Sequence, residues 1–124
     1  MKKNAFLLLL LIPLTLLFHS CYYDNVTDLY PSFVKCDTTN VTYSQTIVPI
    51  MTANCNVCHN TATASAGIIT DTYAGLSAVA ADGTLWKGVN QEPGISPMPK
   101  GGNRLSSCDL AKIKTWIDAG SQNN

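Results

Sequence analysis

Charge is what this sequence has least of. Only 13% of its 124 residues are Asp, Glu, Lys or Arg, and the two signs cancel to a formal net charge of zero. A nucleic-acid binder needs a strongly basic surface, and that balance excludes one. It equally excludes a charge-rich disordered chain. Histidine is scarcer still, with two residues, and there are three methionines. No internal repeat and no low-complexity block is present, and the length suits one modest domain. Strand periodicity is missing too, although Gly67 to Thr70 suits a short extended piece. Against these shortages stand five cysteines, a high count for so short a chain.

The first twenty residues are a different kind of sequence. Lys2 and Lys3 precede an apolar run from Ala5 to Phe18, interrupted only by Pro13 and Thr15. The run is too short for a membrane span and contains proline, so residues 1–20 read as a secretory signal. Its end, Phe18-His19-Ser20-Cys21, resembles a bacterial lipoprotein signal, with Phe18 in place of the usual aliphatic residue and His19 larger than expected. That resemblance implies cleavage before Cys21 and lipidation of its thiol; a plain signal that leaves Cys21 as a thiol is the alternative. It also implies a bacterium, which discounts the Asn-x-Thr sequences at Asn25 and Asn40 as glycosylation sites. Loss of Lys2 and Lys3 leaves six basic against eight acidic side chains, a net charge of −2. The remaining core is thin and alanine-rich, and a small domain of that kind needs a disulfide, metal or cofactor as a staple.

Residues 21–35, with Pro31 and no periodicity, read as a tether. The domain is expected over 36–120, followed by a polar, frayed tail at 121–124. Ile47, Ile50 and Met51 fall at helical spacing and predict a first helix over 46–54, with its N-cap near Thr46 so that Pro49 sits in the first turn. Tyr73, Leu76, Val79 and Ala80 predict a second helix over 72–81, ended by Asp82-Gly83. Leu85, Trp86 and Val89 suggest a short third piece. The last helix has the clearest signals. Ser106 and Asp109 form a capping pair, Leu105 and Leu110 a hydrophobic staple, and Gly120 stands at C′. Leu110, Ile113 and Ile117 line one face, with Trp116 beside it. The expected fold is all-α, with three to four short helices.

Cys55-Asn56-Val57-Cys58-His59 is a C-x-x-C-H sequence, the attachment pattern of c-type haem. Two thiols three residues apart reach the two vinyl groups on one porphyrin edge, and the following histidine comes under the iron as its axial ligand. A thioredoxin-like pair belongs before a helix in an α/β chain, and this one follows a helix. A zinc site needs four ligands, and only one knuckle is present. With His19 removed in the signal, His59 is the only imidazole left. A second histidine ligand within the chain is therefore excluded, and the remaining methionines are Met51 and Met98. Met51 shares the first helix with Cys55 and suits core packing. Met98 lies 39 residues after His59 in Ser96-Pro97-Met98-Pro99, where prolines on both sides stiffen the loop. It is the candidate for the sixth position, as in the His/Met ligation of cytochromes c.

On these residues, together with Ile47-Val48-Pro49-Ile50 and Trp116-Ile117-Asp118-Ala119-Gly120, the stretch from Ile47 to Gly120 resembles a bacterial class I-type cytochrome c in its lipoprotein form. The resemblance implies one haem c bound through Cys55 and Cys58, and first and last helices that cross near the haem edge with Trp116 at the crossing. Two cysteines remain, Cys36 and Cys108. In an oxidising compartment such a pair suggests a disulfide, and a bridge is reasonable if those helices cross. The expected function is one-electron transfer rather than enzymatic catalysis, at a membrane of the bacterial envelope, with redox proteins as partners; Lys87, Lys100 and Arg104, in or near the Met98 segment, suit either a basic rim for docking or a merely solvated set of charges. Two alternatives remain open. One is a haem-based gas sensor or minor peroxidase with an open sixth site; the other is a haem-bearing accessory subunit of a larger redox enzyme.

Overall fold

Residues 36–124 are described in a computed structural model of the chain. The expected signal at 1–20, the lipidated Cys21 and the tether lie outside the described residues. Cys36–Asn124 forms one compact unit. It is helical, without strands among the described residues, so Gly67 to Thr70 pairs with nothing as a sheet. No helix among the described residues is long and apolar enough to cross a membrane.

The first helix starts earlier than expected. A π-helical turn, Tyr43–Ile47, leads directly into α1, Val48–Asn54. Thr42, not Thr46, is the N-cap, and its side chain accepts from the Gln45 N–H at 3.2 Å. The reason lies in Pro49. In a tight α-turn its ring would press on the carbonyl four residues back, that of Gln45. The wider turn bonds Ile47 N–H to Thr42 O and Val48 N–H to Tyr43 O, and asks for no hydrogen bond from proline.

Helix α2 is Tyr73–Ala81, capped by Thr72, whose hydroxyl accepts from Gly75 N–H at 3.2 Å. Gly75 packs against the chain at Ile69, where a Cβ would meet the carbonyl oxygen at 2.6 Å. Gly83, with φ of 81°, turns the chain into α3, Thr84–Val89. The last helix, α4, is Ser107–Asp118. Ser106 Oγ accepts from Asp109 N–H at 3.0 Å and donates to its carboxylate at 2.8 Å. At the other end, Gly120 N–H bonds Ile117 O and Ser121 N–H bonds Trp116 O, with Gly120 at φ 86°. This is the paired-bond motif that ends a helix at a left-handed glycine.

The core comes from all four helices. Ile47, Met51, Leu76, Ile113 and Trp116 are its fully buried members, each stabilising the fold by about 1.5–3 kcal/mol. Ile117 is only half-buried, and Trp116 takes its place on the inner face of α4. The π turn packs on α4. Tyr43 stacks on Trp116 with ring centroids 6.0 Å apart and meets Tyr73 edge-on at 5.2 Å.

The C-terminal tail corrects the expectation of fraying. Trp116 Nε1–H donates to Gln122 O, and Tyr73 Oη–H to Ser121 O, both at 2.9 Å. Tyr43 N–H and Ser44 N–H donate to Asn124 at 2.8 and 3.0 Å. A polar segment stays in place here because the buried Trp116 and the half-buried Tyr73 need its carbonyls. Cys36 and Cys108 are joined as a disulfide, with Cα atoms 5.3 Å apart.

Candidate functional site

The C-x-x-C-H segment continues the turn of α1 past its end. Cys55 N–H and Asn56 N–H both donate to Met51 O, at 2.8 and 2.9 Å, and Cys58 and His59 N–H both donate to Cys55 O, at 3.1 and 3.0 Å. Cys55, Cys58 and His59 thus share a side at helical spacing. Cys58 is exposed, whereas burial pushes the Cys55 thiol up to about 11. Val57 between them is 83% exposed, the one large apolar side chain so open among the described residues.

His59 Nδ1 lies 3.2 Å from Ser65 O. A carbonyl only accepts, so the proton belongs on Nδ1 and the lone pair on Nε2. Ser65 belongs to a 3₁₀ turn, Ser65–Gly67, flanked and interrupted by Ala64 at φ 41° and Ala66 at φ 56°. Non-glycine residues in that region cost about 1–3 kcal/mol each and persist where surrounding bonds fix them. Those bonds are present. Asn60 Oδ1 accepts from Ala62 and Thr63 N–H, and Asp71 accepts from Thr61 through both backbone N–H and hydroxyl. The Thr61 N–H chiefly, helped by the hydroxyl, holds the Asp71 carboxyl below its usual range. Buried Thr70 closes the loop, donating its N–H to His59 O at 2.6 Å and approaching Asn56 Oδ1 at 2.8 Å through its hydroxyl.

Opposite this segment stand α3 and the chain after it. Met98 N–H donates to Gly88 O at 3.0 Å. Cys55, Cys58, His59 and Met98 line one cavity of about 600 Å³, inside the roughly 300–1,000 Å³ range of ligand sites. Its wall is mainly aliphatic, with Ile68, Val79, Leu85, Val89, Ile95 and Leu105. Met51 is elsewhere, in the core and 1% exposed. The expected basic rim is not gathered at the cavity: Lys100 lines it, while Lys87 and Arg104 do not, and the Arg104 guanidinium donates to Asn90 Oδ1.

The residues present fit a covalently attached haem. Two cysteines, a histidine and a methionine line one mainly aliphatic cavity, and among the described residues nothing hydrogen-bonds His59 Nε2. Among the described residues no three His, Cys, Asp or Glu side chains cluster to hold a bare metal ion. Three residues were not singled out in the sequence: Ser65, Thr70 and Gly88. A threonine following the apolar pair Ile68-Ile69 was the only available signal for Thr70; Ser65 acts through its backbone and leaves none. Comparison with protein-family models, curated proteins and solved structures returns no match for the chain.

Proposed function

We propose that this chain is a lipid-tethered, single-haem c-type cytochrome that carries one electron between redox proteins in a bacterial envelope. The observation that carries the reading is that Cys55, Cys58, His59 and Met98, from two segments well apart in sequence, line the same apolar cavity. When bound, the haem supplies a reversible Fe(II)/Fe(III) couple. Cys55 and Cys58 hold it as thioethers. His59 offers Nε2, with its ring orientation kept by the Nδ1–H bond to Ser65 O. Met98 offers its sulfur, which favours the reduced state and raises the potential. The aliphatic wall would keep water away, and with His59 and Met98 both held to the iron no open site would remain for a substrate. The role is therefore transfer, not catalysis. Cys21 carries the lipid that holds the domain at the membrane.

An absorption spectrum tests this. The protein purified from a host competent in haem attachment gives a c-type pyridine haemochrome. Oxidised, it shows a weak methionine-to-iron band in the far red that Met98→Ala abolishes. A wild-type protein without that band, and with ready CO binding when reduced, overturns the carrier role in favour of an open sixth site.

A further inference from the structure

We infer that Gly88 is the positioning residue for Met98, acting through its carbonyl and through the side chain it does not have. The inference rests on the His59/Met98 reading above. Gly88 sits inside α3, where glycine weakens a helix relative to alanine. Its backbone gives no conformational reason for glycine, since it is not among the positive-φ residues. What limits the size of a side chain there is its neighbour. Gly88 is buried, and a Cβ there would meet Met98 Cγ at 3.6 Å and Met98 Cβ at 3.9 Å. A methyl group is in ordinary contact at that range, but anything longer takes the volume that the Met98 side chain fills. The Gly88 carbonyl accepts from Met98 N–H at 3.0 Å as well as from Gln91 N–H at 3.1 Å, and so fixes the Met98 backbone against the end of the helix. The loop carrying Met98 has no regular secondary structure, and this pair of constraints sets its distance from the cavity.

A size series at position 88, in the full-length haem-loaded protein, reads this out. Gly88→Ala keeps the far-red band. Gly88→Ser weakens it, and Gly88→Val and Gly88→Leu lose it, gain CO binding in the reduced form and bring the midpoint potential down to that of Met98→Ala. Far-UV circular dichroism and the pyridine haemochrome report folding and loading separately. Should the two large variants not load, a potential unchanged from Gly to Ala and lowered from Ala to Ser still decides the matter. A wild-type protein without the c-type haemochrome or the far-red band sinks the underlying reading. Loaded variants with band and potential independent of side-chain size sink the role of Gly88 and leave that reading standing.

Discussion

Met51 and Met98 should divide stability from ligation. Met51 is 1% exposed and belongs to the buried cluster that includes Ile47, Ile50, Leu76 and Ile113. Cutting it to alanine leaves a cavity, and truncations of this kind cost about 2–5 kcal/mol. Taking about 3 kcal/mol, and about 4–8 °C of Tm per kcal/mol for a domain of this size, Met51→Ala lowers Tm by roughly 12–24 °C. That is a large share of the roughly 5–15 kcal/mol that holds such a domain together. Because Met51 does not line the cavity, the far-red band should persist at temperatures where the variant is folded. Thermal melts followed by circular dichroism, with absorption spectra on the same samples, measure both quantities. Loss of the band in folded Met51→Ala would refute the assignment of the two roles, and so would a Tm within a few degrees of wild type.

Three further outcomes follow from the surroundings of the site. Replacing Cys36 and Cys108 together by serine removes a link across 72 residues and should cost about 2–4 kcal/mol, read as a lower urea midpoint; an unchanged midpoint counts against the bridge. Asp71 has its folded-state carboxyl depressed by Thr61. The stability it contributes is therefore present above the ordinary carboxylate pKa and lost as pH falls through the depressed value. Amide exchange in residues 61–71 should quicken over that acidic interval in the wild type, while Asp71→Asn shows fast exchange already at neutral pH. Deleting residues 122–124 removes the acceptor of Trp116 Nε1–H, a donor on a side chain 1% exposed. An unpaired buried donor costs about 1–3 kcal/mol, visible as a denaturation midpoint shift followed by tryptophan fluorescence.

The sequence revealed most where signals are local. Ser106, Asp109 and Gly120 mark the ends of α4 because capping bonds join residues three to five apart, and the structure contains those bonds. Thr72 and Asp82-Gly83 bracket α2 for the same reason. Expectation and structure parted where the deciding partner is distant. The tail follows Tyr43, Tyr73 and Trp116, and its polar composition alone suggests fraying. Pro49 signalled a first turn, but the π turn ahead of it depends on the Thr42 cap and on packing against α4. At the site, the residues able to do chemistry were legible as a motif and by elimination. The groups bonded to them were not, since His59 Nδ1 and Met98 N–H meet the carbonyl oxygens of Ser65 and Gly88, which every residue possesses.

The Cys36–Cys108 bridge also decides how the chain bears load. Residues 37–107 lie inside a covalent loop, and that loop contains every residue lining the cavity, from Asn54 to Leu105. If the domain is pulled between residues 36 and 124, tension passes through the bridge directly into α4. Only the chain after Cys108 can then pay out contour length. Tugging by whatever lies before residue 36 would strip α4 and the tail before it stretched the segment between His59 and Met98.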